Sequence, residues 1–137
     1  MVRIVGYDER HFGGVKAVWE AAFPDDPPWN RAENAIPAKM ALQPGLFFVA
    51  LNDDQVVGTV MAGYDGHRGW LYAIAVLPDH RRRGIASGLV RHAEAQLREL
   101  GCHKINLQVR ASNADALAVY QGLGYEIEDR ISMGKRV

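Results

Sequence analysis

A single cysteine, Cys102, among 137 residues leaves no partner for an internal disulfide and suits a reducing compartment, with the cytoplasm as the default expectation. No apolar run approaches the roughly 20 residues that a membrane-spanning helix needs. The opening stretch, Met1 to Tyr7, is short and apolar and has no signal-peptide pattern. Net charge is also lacking: sixteen basic side chains balance sixteen acidic ones, which argues against the broad positive field of a nucleic-acid binder. There are no repeats, linkers or low-complexity segments. Cys102-His103 is too little for a zinc site. Asp79, His80 and Ser87 supply the residue types of a hydrolase triad, but around one loop and without a nucleophile elbow. What remains is one domain, residues 1–137, long enough to bury a proper core and expected to bind neither membrane nor nucleic acid.

The chain is organised around Trp70 to Leu89, WLYAIAVLPDHRRRGIASGL. Trp70 to Leu77 is rich in aromatic and branched residues and closed by Pro78, so it reads as a buried strand. Leu89, Ala93, Leu97 and Leu100 then recur at helical spacing. Glu94 and Arg98 form an i, i+4 pair on the outer face, and Gly101 ends the helix. Between strand and helix, Gly84, Ala86 and Gly88 leave backbone bare at a helix N-terminus, where unpaired N–H groups and the macrodipole favour an anion. Arg81, Arg82 and Arg83 add cationic side chains, and the stretch reads as a pyrophosphate cradle; the bland alternative is a solvated charge run. It is neither a P-loop nor a GxGxxG turn.

Arg81-Arg82-Arg83-Gly84-Ile85-Ala86 resembles the Arg/Gln-x-x-Gly-x-Gly/Ala signature of the GCN5-related N-acetyltransferases, the GNAT superfamily. Asn113, Ala116, Tyr120, Gly124 and Tyr125 stand at the spacing of that superfamily's Asn-x-x-Ala-x-x-x-Tyr-x-x-x-Gly-Tyr/Phe motif. Pro28-Trp29-Asn30, the stretch Gly58 to Gly69 and Gly134-Lys135-Arg136 are similar to the YpeA-type members, and Val109 to Asn113 to the ribosomal-protein alanine N-acetyltransferases. The resemblance implies acetyl-coenzyme A as cofactor. It also implies an α/β fold with a mixed sheet of about six strands and four helices. In that fold the fourth and fifth strands splay apart, so that the pantetheine arm meets the backbone of Ile74, Ala75 and Val76. It assigns the phosphates to residues 81–86, a cofactor contact to Asn113, and protonation of the departing thiolate to Tyr120. For Tyr120 the alternative is plain core packing.

Taken in order, Arg3 to Tyr7 reads as a strand, with Asp8 as a helix cap and Phe12, Val15, Trp19 and Phe23 as an apolar stripe. Gly13-Gly14 weakens that helix, which must be held by packing. Pro24 to Pro28 is a loop. Pro37 is expected in the first turn of a second helix, after a looser segment. Leu46 to Leu51 and Gln55 to Tyr64 are strands, with Gly58 a candidate bulge, and Asp65-Gly66 signals a hairpin. A helical crossover makes Lys104 to Arg110 parallel to the strand before it. Asn113 caps a helix, and Tyr125 to Arg136 is expected to return as a last strand.

Acyl transfer needs a neutral amine and a proton for the thiolate. The glutamates that related families use as base fall here on Gln108 and Trp70, neither of which accepts a proton. A water relay ending on Asp65 or His67 is one alternative, and an acceptor needing little help is the other. A lysine amine near pKa 10.4 costs ~4 kcal/mol to deprotonate at neutral pH, and an α-amine near 7.7 to 8.0 under ~1 kcal/mol, which favours an α-amine. Trp29, Asn30, Tyr64, Asp65 and His67 are the candidate acceptor-side residues. The expected partner is an amine acceptor, a small molecule or a protein N-terminus, and the chain is expected as a monomer or homodimer. The competing readings are a coenzyme A-binding domain without catalysis, and a nucleic-acid module built on Arg81 to Arg83.

Overall fold

The computed structural model describes residues 1–137. Five strands, β1 Val2–Gly6, β2 Phe47–Asn52, β3 Gln55–Tyr64, β4 Gly69–Val76 and β5 Ile105–Leu107, lie side by side in chain order. The first four are antiparallel, and β5 is parallel to β4 across a helical crossover. Four helices cover the sheet: α1 Phe12–Ala22, α2 Ala32–Leu42, α3 Ile85–Glu99 and α4 Ala114–Gly122. None is long and apolar enough to cross a membrane.

Strand β2 explains the two layers. Its side chains alternate between faces, yet all of Phe47 to Leu51 are buried, because both faces are covered. Phe48 and Ala50 join Leu89, Val90, Ala93 and Leu97 of α3 on one side. Phe47, Val49 and Leu51 join Val15, Val18 and Trp19 of α1 and Ile36 of α2 on the other. The weak helix propensity of Gly13-Gly14 has a packing reason: a Cβ on Gly14 would stand 2.7 Å from the Val56 side chain, so only glycine lets α1 lie this close to β3. Asp8 caps the 3₁₀ turn Glu9–His11 that leads into α1, its side chain accepting from the Arg10 N–H at 2.9 Å. A register slip opposite Gly58 makes the expected irregularity in β3.

Five expectations are corrected. Pro37 lies inside α2 rather than in its first turn; Ala32 and Ile36 are buried against α1 and Lys16 bridges Glu33 at 2.7 Å, so packing outweighs the one backbone bond that proline removes. Glu94 does not pair with Arg98 but accepts from the Tyr125 hydroxyl at 2.6 Å, and Leu100 is exposed rather than part of the stripe. Strand β5 ends at Leu107, not Arg110. Tyr125 to Arg136 forms no strand, so the sheet has five strands and not six. Asp129 breaks the apolar alternation of Ile127, Ile131 and Met133, all of which are exposed. The segment meets β5 through side chains only, Lys104 to Glu128 at 2.6 Å, Asn106 to Glu128 at 2.9 Å and Gln108 to Ser132.

A second bulge, with no glycine to announce it, decides the shape of β4. Thr59 faces Ala75 and Met61 faces Tyr72, so Val60 alone opposes Ala73 and Ile74. Ala73 sits at φ +49°, a left-handed conformation that disfavours alanine by roughly 1–2 kcal/mol. The fully buried Thr59 holds it there, its hydroxyl donating to the Ala73 carbonyl at 2.8 Å and accepting from Trp19 Nε1 at 2.9 Å. Thr59→Val keeps the shape but strands a buried indole N–H and a carbonyl. It should destabilise the chain by ~2–4 kcal/mol in urea unfolding, and Thr59→Ser by about 1 kcal/mol or less. Equal losses for the two variants would show that the hydroxyl does not hold the bulge.

Candidate active site

Beyond the bulge β4 has no neighbour on its outer side. The parallel ladder consists of Gly69 with Ile105, Trp70 with Asn106 and Leu71 with Leu107, and then stops, while β4 runs on to Val76. Leu77 N–H bonds the Val57 carbonyl, so antiparallel alternation turns the polar groups of Ala75 toward β3 and those of Ile74 and Val76 into the open gap. The expected trio of unpaired residues is therefore a pair. One of the four outward groups is already taken, because Arg81 Nε donates to the Val76 carbonyl at 3.1 Å.

The loop at the far end of the gap has the form of an anion cradle. Gly84, at φ +77°, precedes α3 and gives it no side-chain cap. The first bond of the helix is Gly88 N–H to the Gly84 carbonyl at 2.9 Å, so the N–H groups of Ile85, Ala86 and Ser87 have no acceptor in the chain. A Cβ on Gly84 would meet nothing within 4 Å: the space outside this turn is open. Arg82, also left-handed at φ +64°, and Arg83 are exposed around it, while Arg81 fastens the loop to β4.

Between β4 and α4 the gap opens into a cavity of about 380 Å³. Its walls include Tyr72, Ala73 and Ile74 of the bulge, Asn113 and Tyr120 of α4, and Asp26 from the loop after α1. Asn113 Oδ1 caps α4 by accepting from the Ala116 N–H at 3.1 Å, which leaves its amide N–H groups unengaged. Tyr120 is 9% exposed and its hydroxyl has no partner in the chain. Burial pushes its pKa above the usual phenol value, so it is a neutral proton donor at any physiological pH. Gln108 also lines the cavity, but its amide is bonded to Ser132.

The expected acceptor-side residues are not brought together. Asp65 Oδ1 accepts from the N–H groups of His67 and Arg68 at 2.7 and 2.8 Å, and these bonds, the Arg68 one foremost, lower its pKa. That carboxylate organises the hairpin. Tyr64 donates to the Gly66 carbonyl at 3.3 Å within the same turn, and His67 is exposed there. Trp29 is half exposed under the Arg136 guanidinium, 3.4 Å from its ring, and Asn30 is exposed beside it. None of the five lines the 380 Å³ cavity. Sequence reasoning passed over Asp26, whose signal was two acidic residues bracketed by prolines directly after a helix, and Thr59, which had none.

Three comparisons bear on this arrangement. The acetyltransferase (GNAT) family model matches residues 14–125. An acetyltransferase of Pectobacterium atrosepticum is 43% identical over 138 residues, spanning 99% of this chain and 94% of its own length. The ribosomal-protein-S18-alanine N-acetyltransferase of Escherichia coli superposes with a TM-score of 0.75 at 26% identity, over 90% of this chain and 77% of its own. An aminoglycoside N-acetyltransferase crystallised with coenzyme A has the same fold, with a TM-score of 0.81 at 22% identity over 99% of this chain and 95% of its own. On the family match and the near full-length relative, the chain belongs to the acetyltransferase (GNAT) family.

Proposed function

We propose that the chain transfers the acetyl group of acetyl-coenzyme A to a primary amine by direct attack within a ternary complex. The observation that carries this reading is the run of unanswered polar groups along one track. It comprises the Ile74 N–H and C=O and the Val76 N–H in the gap, the N–H groups of Ile85 to Ser87 at the cradle, and the free Tyr120 hydroxyl in the cavity. A ligand with a pyrophosphate at one end, amides in the middle and a thioester at the other answers each in turn. Coenzyme A bound in the aminoglycoside acetyltransferase of the same fold supports that choice.

In this reading the residues divide the work. Gly84 lets the phosphates approach the backbone, and Arg82 and Arg83 add positive charge. Ile74 and Val76 fix the pantetheine arm as a missing strand would, and the thioester supplies the electrophilic acetyl carbon. Asn113 orients the ligand beside α4. Tyr120 donates its proton to the thiolate as the carbon–sulfur bond breaks, and the proton that the amine loses as the carbon–nitrogen bond forms restores the phenol, leaving amide and free thiol. Cys102 takes no part: it is buried against Gly69 at the start of β4, its thiol donating to the Lys104 carbonyl at 3.3 Å. With an amide at Gln108, we favour an acceptor that surrenders its proton readily, such as a peptide or protein α-amine near pKa 7.7 to 8.0.

Gly84→Val forces a branched residue into a left-handed turn and fills the open space outside it. Calorimetry should show coenzyme A affinity reduced by at least about tenfold with the fold intact. Unchanged affinity would remove the cradle. Tyr120→Phe should lower kcat about 10²- to 10⁴-fold in a free-thiol assay over a panel of peptides, polyamines and amino acids, with coenzyme A affinity nearly unchanged because the ring still packs. A fully active variant would remove Tyr120 as the acid.

A further inference from the structure

Asp26 is the cavity's unassigned carboxylate. Its side chain is only 16% exposed, and it accepts no hydrogen bond from any group in the chain. Burial raises its pKa, and Arg110 opposes that rise. Its backbone is tied on both sides, the N–H donating to the Phe23 carbonyl at 3.2 Å and the C=O accepting from Arg31 Nε at 3.4 Å. A carboxylate withdrawn from water without donors is costly unless a cation answers it.

The cation present is a loose one. Arg110 Nη2 stands 3.9 Å from Asp26 Oδ1, beyond hydrogen-bond length, on a side chain that is 79% exposed. With its Arg110 partner in water, a pair of this length contributes at most about 1 kcal/mol, too little to explain the burial of Asp26 as a structural device. The two residues come from opposite banks, Asp26 from the loop after α1 and Arg110 from the segment after β5, and both line the cavity that holds Tyr120. The pair therefore joins two walls of the cavity, and its weakness lets another cation take Arg110's place.

We propose that Asp26 is the seat for the positive charge of the acceptor, which enters the cavity as an ammonium, displaces the Arg110 guanidinium and gives one proton to solvent before its nitrogen attacks. This deepens the acetyltransferase reading and rests on it. It makes the acceptor a cationic amine and makes Arg110 a competitor for the seat, so the two variants act in opposite directions.

The test uses the full chain saturated with coenzyme A, n-butylammonium as probe and the near-isosteric, neutral n-butanol as control, followed by NMR at the Asp26 carboxyl carbon and the Arg110 Nε–H. Butylammonium should shift both signals and butanol neither. Arg110→Ala should tighten butylammonium binding about two- to fivefold. Asp26→Asn should abolish the charge preference, and adding Arg110→Ala to Asp26→Asn should then gain nothing, a coupling that a merely structural pair would not produce. Equal binding of the two probes, or a gain from Arg110→Ala that persists without Asp26, would overturn the proposal. Coenzyme A affinity, measured first in every variant, separates the outcomes: its absence from the unmodified chain contradicts the acetyltransferase reading, whereas intact affinity without the Asp26–Arg110 coupling contradicts only the seat.

Discussion

The Thr59 hydroxyl, accepting from Trp19 and donating to Ala73, is the contact from which the working part of the molecule follows. Without it nothing local favours a left-handed alanine in the middle of a strand. With it, β4 takes an extra residue at the point where its parallel partner ends at Leu107. The gap that results would be a defect in an ordinary sheet, since it leaves backbone donors and acceptors without partners. Here it lies between a glycine turn at one end and a tyrosine-lined cavity at the other. The hydrophobic layers serve the same arrangement: α1 delivers Trp19 to Thr59 on one face, and α3 carries the bare N-terminus from the other.

Electrostatics divide the track. The loop before α3 is cationic, and the loop after α1 carries Asp25 and Asp26 beside two prolines. The uneven charge of the two halves of the chain, nine acidic to five basic before residue 67 and eleven basic to seven acidic after it, thus has a spatial counterpart. In the proposed reading, an anionic ligand is drawn to one end and a cationic one to the other. Tyr120, whose burial keeps it protonated, stands in the cavity between them.

Much of this was legible in the chain itself because it depends on local signals. Turn residues on either side marked β3 at both its ends, Asp8 marked a cap, and the arginine run followed by small residues marked the cradle. Three features were not legible, each because distant residues decide it. The β4 bulge depends on a threonine fourteen positions upstream of the alanine it holds, and on a tryptophan forty positions before that threonine. Pro37 is tolerated in α2 because of what Ala32 and Ile36 pack against. The tail after Gly124 has near-alternating apolar residues, yet Asp129 on the apolar face leaves it without a face to bury. In the hairpin, Asp65 and His67 have catalytic chemistry, and what their residue types could not give is that the backbone of the turn claims the carboxylate.

The central claim is that the outward backbone of β4 is an unfilled sheet edge awaiting a ligand, and amide hydrogen exchange reads it residue by residue. In the free chain, Ala75 N–H should be protected by β3, while Ile74 and Val76 N–H exchange quickly. Saturating coenzyme A should then protect Ile74 and Val76 and leave Ala75 as it was. Exchange at Ile74 and Val76 that coenzyme A does not slow would contradict the account.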